Sequence, residues 1–139
     1  MFSKNGLPRD NKGIRIDVRG NRDLAFNNWH RDNLSHSCYV TDVDFLEYRI
    51  IENKIILKAI FEVKEWHVTE PKYIEKCANF NAIKQLAEIA KIPFYFLWYL
   101  KDGENSIEKF KLWNVFSQEK QDAKEMSPEE FKIFMENLN

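Results

Sequence analysis

Residues 38–66 read CYVTDVDFLEYRIIENKIILKAIFEVKEW, and they contain two strand-like segments on either side of a polar break. The second segment is especially rich in the β-branched and aromatic residues that favour strands. The break covers residues 52–54 and predicts a hairpin that turns about Asn53. We therefore expect a pair of antiparallel strands, and the rest of the chain is interpreted around this pair.

Four charged side chains of the hairpin are predicted to lie on one face of the sheet. A turn about Asn53 places Asp44 opposite Glu62 and, one step along, Asp42 opposite Lys64. Side chains at i and i+2 of a strand point to the same face, so each pair of charged residues on a strand shares a face. The apolar neighbours point the other way. This pattern predicts one packed face and one charged face.

Carboxylates beside a lysine on one face suggest a metal site for phosphodiester hydrolysis. Mg²⁺ prefers carboxylate oxygens and keeps several waters, so Asp44 and Glu62 are the predicted ligands of Mg²⁺ or Mn²⁺. The backbone carbonyl of Val63 is a further candidate ligand. Lys64 is predicted to hold the attacking water or to stabilise charge on the phosphate.

The spacing of Glu62 and Lys64 carries little information alone, because the same spacing recurs at Glu52/Lys54, Glu70/Lys72 and Glu130/Lys132. A polar sheet face that is simply hydrated is the alternative interpretation. Two like charges on facing positions destabilise a sheet unless a cation lies between them. That argument favours a metal site at Asp44 and Glu62, with Asp42 as the alternative to Asp44.

The rest of the pattern predicts a single α/β domain over residues 1–139, with a central mixed sheet flanked by helices. The predicted elements are an irregular arm over 1–13, an edge strand over 14–19, helices over 21–31 and 73–90, strands over 94–100 and 107–116, an irregular segment over 119–124 and a C-terminal helix within 127–139.

Composition excludes several classes of protein. No segment is apolar enough to cross a membrane, and the N-terminal residues lack the apolar core of a signal peptide, which predicts a cytoplasmic protein. Cys38 and Cys77 lack the spacing of a zinc site, so we expect buried thiols. The net charge of −1 argues against a general polyanion binder. Residues 1–31 nevertheless hold seven lysines and arginines against three aspartates, a basic arm that could contact phosphates.

The order of these features resembles the PD-(D/E)XK nuclease superfamily. Its signature is an acid on one strand of a hairpin, Glu/Asp-x-Lys on the next strand, then a helix and a further strand. Here Asp44, the triplet EVK at 62–64, the predicted helix and FYFLWYL at 94–100 follow that order. More closely, HRDNLSHSCYVTDVDFLEY at 30–48, with IFEVKEW and IPFYFLWY, resembles small uncharacterised phage and prokaryotic members. The chain has Thr41 where the superfamily name has proline, which leaves the choice between Asp42 and Asp44 open.

The resemblance implies a restriction-endonuclease-like core and a magnesium-dependent nuclease acting on DNA in repair, recombination, restriction or phage processing. It also adds His30 and Gln85 as candidate site residues. Arg31 and Lys72 are candidate contacts to nucleic acid, and members of the superfamily often form homodimers. The alternative is a non-catalytic module on the same fold that binds nucleic acid or protein. The sequence does not decide between endonuclease and exonuclease, or between DNA and RNA.

Overall fold

A computed structural model of the chain describes residues 25–66 and 74–138. The chain forms two compact units, residues 1–40 and residues 41–139. None of the helices within the described ranges is long and apolar enough to span a membrane. The predicted arm over 1–13 and the predicted edge strand over 14–19 lie outside the described residues.

The described part of the first unit contains one helix, α1, over Ala25–Asn33. It continues two residues beyond the predicted end, and the side-chain amide of Asn33 donates to the carbonyl of Trp29 at 2.9 Å. Phe26 and Trp29 stack with ring centroids 6.3 Å apart and are largely exposed.

The hairpin consists of β1, Phe45–Ile51, and β2, Lys54–Glu65, and confirms the predicted strand pair. A two-residue turn joins the strands, and both of its residues have positive φ, 50° at Glu52 and 63° at Asn53. Positive φ at both central positions is typical of the tight turns whose twist matches that of a hairpin.

A bulge in β2 changes the register of the hairpin. Tyr48 faces Leu57 on the turn side, whereas Glu47 faces Ala59, so Lys58 is the extra residue. If β2 lacked the bulge, the register set by the two-residue turn would place position 44 opposite Phe61. With the extra residue, Glu47 pairs with Ala59 and Phe45 pairs with Phe61. The next position of the same register places Asp44 opposite Glu62. The predicted pairing of Asp44 with Glu62 is therefore reached through a turn and a bulge, not through a turn centred on Asn53.

Among the described residues, five strands form one mixed sheet in the order β1-β2-β3-β4-β5. β3, Phe94–Lys101, runs parallel to β2, while β4, Ile107–Asn114, and β5, Lys124–Met126, each add an antiparallel partner. The connection from β2 to β3 contains α2, Ala78–Ala90, and the chain ends with α3, Pro128–Glu136. The α/β class and the mixed sheet with helices are thus confirmed.

Both faces of the sheet are packed, which corrects the prediction of one packed and one charged face. On one face, called here the α2 face, Phe94, Phe96 and Trp98 lie in a core with Ile60 and with residues of α2. On the other, the α3 face, Phe61 and residues of β3 and β4 pack against α3. Glu62 lies next to Phe96 in the β2–β3 ladder. Its carboxylate therefore stands at the margin of an apolar core.

Several other expectations need correction. The predicted helix over 73–90 is interrupted: a 3-10 turn covers Ile74–Lys76, and Cys77 has extended backbone before α2 begins. Both cysteines are exposed rather than buried. The end of the segment predicted to be irregular forms β5, which was missed because a three-residue strand carries no periodic signal. The C-terminal helix is confirmed, with a capping box between Ser127 and Glu130.

Candidate metal centre

Asp44 lies at the bend immediately before β1 and contacts the backbone of β2. Its Oδ2 accepts a hydrogen bond from the N–H of Val63 at 2.9 Å. The ladder between β1 and β2 starts at Phe45 and Phe61, so the Asp44 carboxylate takes the place of a backbone acceptor one step beyond it. This bond holds the Asp44 carboxylate beside Glu62, which directly precedes Val63 in β2.

Glu62 is half-buried, and its environment favours the protonated form. Its pKa is raised from 4.5 to about 7. Burial is the largest cause, and the charge of Asp44 and a side-chain hydrogen bond with Asp44 act in the same direction. Lys64 acts against these effects and lowers the pKa. Two carboxyl groups that share a site cannot both ionise without cost. The site therefore attracts a proton or a cation at neutral pH.

The backbone carbonyl of Val63 points to the same edge of β2 as its N–H, because both groups of a strand residue face the same side. That edge is where Asp44 sits. Lys64 follows on the face of Glu62 and is exposed. The structure thus places Asp44, the Val63 backbone and Lys64 around Glu62. Their roles as metal ligands and catalytic lysine stay predictions.

Asp42 is not part of a strand, which corrects the prediction that it pairs with Lys64. β1 begins at Phe45, and residues 41–43 have no regular structure. The hydroxyl of Thr41 donates to the carbonyl of Asp42 at 3.3 Å. The carboxylate that acts on the pKa of Glu62 is that of Asp44, which favours Asp44 over Asp42 as the ligand.

Gln85 is exposed on α2. The helix packs on the sheet through Phe80, Ile83 and Ala87, and position 85 is about 140–160° around the helix from each of them. The predicted approach of Gln85 to the site is therefore not seen.

The remaining predicted residues belong to other parts of the chain. His30 and Arg31 lie on α1 in the first unit, where Arg31 Nε is 3.1 Å from Oδ1 of Asp32. Lys72 lies outside the described residues. The roles proposed for these three residues stay predictions.

No cluster of three or more His, Cys, Asp or Glu side chains that could hold a metal occurs within residues 25–66 and 74–138. From the described residues, a cation at this site would have two carboxylates, backbone oxygen and water as ligands, a donor set that suits Mg²⁺. A separate cleft of about 630 Å³ lies between α2 and the segment after β4, and neither Asp44 nor Glu62 lines it.

Two lysines of β4, on the same face of the sheet as Lys64, were not singled out from the sequence. Lys64 pairs with Trp98, which pairs with Lys111, so Lys64 and Lys111 share the α2 face. Lys109 Nζ and Lys111 Nζ each lie 5.2 Å from the ring centroid of Trp66. The alternation of lysine with apolar residues in IEKFKLW was the available signal. Lys109 also forms an ion pair with Glu125 at 3.4 Å. Lys64 and Lys111 thus add positive charge to the face that carries Glu62.

Replacing Glu62 with glutamine is expected to stabilise the metal-free protein at pH 8 but not at pH 4. The folded-state pKa of about 7 lies above the ordinary 4.5, so the folded protein holds a proton that the unfolded chain has released, and stability falls as pH rises between these values. Glutamine has no such proton to lose. We therefore expect the free energy of unfolding at pH 8 to rise by about 1–2 kcal/mol after solvent screening. Urea unfolding at both pH values in EDTA measures it.

The matched control is Glu108→Gln on β4, which is exposed. Its effect on the free energy of unfolding should be the same at pH 4 and pH 8. An effect of Glu62→Gln that is independent of pH would contradict the coupling between the two carboxyl groups.

Comparisons with known protein families, with curated proteins and with solved structures found no match to this chain.

Proposed function

We propose that this protein is a metal-dependent nuclease that hydrolyses phosphodiester bonds of DNA in the cytoplasm. The observation that carries the proposal is the pairing of Asp44 and Glu62 at the start of the hairpin ladder, with Lys64 two residues further along the same strand. Such a pair of acids beside a lysine suits hydrolysis of a phosphodiester better than it suits a structural role.

The site fits a divalent cation in its chemistry. The charge of Asp44 raises the pKa of Glu62, and a cation between the two carboxylates would remove this repulsion. Asp44 and Glu62, with the backbone carbonyl of Val63, would hold Mg²⁺ or Mn²⁺. When bound, such a metal lowers the pKa of a coordinated water and neutralises charge on the phosphate.

The protein's own side chains supply orientation and charge. Asp44 is fixed by the N–H of Val63, so one carboxylate is positioned before any substrate arrives. Lys64 is exposed and carries an ammonium group that can hold a phosphate oxygen or the attacking water.

The lysines on β4 support DNA as the substrate. Lys109 and Lys111 flank Trp66 on the face that carries Lys64. Positive side chains along one face bind the phosphates of a nucleic-acid backbone without regard to sequence.

The topology supports a restriction-endonuclease-like core. The acid precedes β1, Glu62 and Lys64 are on β2, and α2 leads to the parallel strand β3. This is the order of elements for which the chain resembles the PD-(D/E)XK superfamily.

The proposal is tested by incubating the purified full chain with supercoiled plasmid, linear duplex, single-stranded DNA and RNA in Mn²⁺ or Mg²⁺. We expect metal-dependent cleavage of DNA that EDTA abolishes, and the Glu62→Gln protein, purified in parallel, should show none. This variant controls for a contaminating nuclease. Intact substrates in every condition would refute the enzyme, and DNA binding without cleavage would favour the non-catalytic module.

A further inference from the structure

β1 is an edge strand that exposes many apolar side chains. Within the described part of the chain, β1 pairs only with β2. Its exposed residues include Phe45, Leu46, Tyr48, Ile50 and Ile51, each between 45% and 59% exposed. A long apolar edge with free backbone groups is a template for pairing with another strand.

The turn end of the hairpin extends beyond the rest of the sheet. β3 pairs with β2 only from Ile60 onward, so residues 54–59 have β1 as their ladder partner. Ile55, Ile56 and Leu57 in this part are 37–45% exposed. A two-stranded ribbon is marginally stable alone in water, and this ribbon exposes apolar side chains on both faces. It therefore gains stability from a further strand.

The sequence of β1 is complementary to itself. When two copies of FLEYRII run antiparallel with Tyr48 opposite Tyr48, Glu47 of each strand faces Arg49 of the other. The outer positions pair Leu46 with Ile50 and Phe45 with Ile51. Every pair is thus apolar with apolar, aromatic with aromatic, or acid with base.

The neighbouring registers lack this match. Twofold symmetry keeps paired residues on the same face, so the register can shift only in steps of two. One such step places Glu47 opposite Glu47, and the step in the other direction places Arg49 opposite Arg49. Like charges on facing positions are unfavourable, so the charges select the register centred on Tyr48.

The charged pair is held in place within one chain. Arg49 forms an ion pair with Glu47 on the α3 face. Arg49 Nη2 also donates to the carbonyl of Met135 at 2.6 Å, near the end of α3. Both side chains are half-buried. Ordered charges lose less conformational entropy when they meet a partner.

From the open edge, its apolar side chains and this charge pattern, we infer that the protein forms a homodimer in which the β1 strands of two copies pair antiparallel about Tyr48. The two sheets join into one continuous sheet of ten strands. The contacts are isologous, as twofold symmetry requires, and the pairing covers both exposed edges.

Sedimentation equilibrium of the full chain tests the inference. We expect a species of twice the 16.7 kDa chain mass. Glu47→Arg and Arg49→Glu should each weaken dimerisation at least about 10-fold, since each places like charges opposite one another twice. Mixing the two variants in equal amounts should restore a dimer, because the mixed pair again has opposite charges in both positions.

Tyr48→Lys is a second variant that should weaken dimerisation, because two lysines would then face each other at the twofold axis. It keeps the contact between Arg49 and Met135. Ile89→Lys on α2 is the matched control, because Ile89 is 73% exposed and lies outside the edge, so it should dimerise as the unmodified chain does. A monomeric unmodified chain, or a Tyr48→Lys protein that dimerises normally, would overturn the inference. So would folded charge variants that fail to associate when mixed.

Discussion

Replacing Lys64 with methionine is expected to lower the rate of Mn²⁺-dependent DNA cleavage by about 10²–10³-fold. Methionine keeps much of the length of the side chain and removes its positive charge. Because Lys64 is exposed and follows Glu62 on the same face of β2, we expect its charge to act on the phosphate and not on the packing of the core. The loss should therefore appear in the rate at saturating DNA, with Mn²⁺ affinity changed far less.

Single-turnover cleavage of a labelled duplex measures this rate, and calorimetric titration measures the metal affinity. Lys101→Met is the matched control, since Lys101 is an exposed lysine at the end of β3, and we expect its rate to stay within about 2-fold. Full activity of the Lys64 variant would exclude this lysine from the reaction, even if the protein is a nuclease.

Replacing Asp44 with asparagine is expected to lower cleavage by at least about 10²-fold and to weaken Mn²⁺ binding, because one of two ligand charges is lost. The asparagine oxygen can still accept the hydrogen bond from the N–H of Val63, so the local backbone should be kept. Burial raises the pKa of Glu62 most, and the Asp44 charge that adds to this effect is also removed. An NMR titration of the Glu62 carboxyl should therefore show its pKa fall below 7.

Asp42→Asn is the matched control, with expected cleavage within about 2-fold of the unmodified protein. The pair of variants decides the ligand that Thr41, in place of proline, leaves open in the sequence. If Asp42→Asn lost activity and Asp44→Asn did not, the proposed ligand would be wrong.

Local pattern was enough to predict most of the second unit. The run FYFLWYL at 94–100 is apolar throughout, and β3 is buried from Phe94 to Trp98. The start of α3 is marked by a capping box between Ser127 and Glu130 and by Pro128 at the first helical position. Such signals act within one or two turns of chain, so they can be read without knowing the tertiary structure.

The burial of Glu62 could not be predicted in the same way. Alternation in β2 marks Glu62 as polar and its neighbours as apolar, which predicts a hydrated position. In the folded protein, β3 places Phe96 beside it and α2 covers the adjacent core. That environment comes from residues more than 15 positions away, and local periodicity carries no information about it.

The bulge at Lys58 reverses the relation between residue number and sheet face within β2. From Ala59 onward, odd-numbered residues face α3, whereas on the turn side of Lys58 the even-numbered residues do, as Ile56 does opposite Arg49. Leu57 therefore belongs to the same side of the sheet as Glu62, although their numbers differ in parity. Ile55, Leu57 and Ile60 therefore lie on the side of the sheet that carries Glu62, between the tip of the hairpin and the carboxylates. A substitution at Leu57 should therefore alter the surface that leads to Asp44 and Glu62, and not the packing of the sheet against α3.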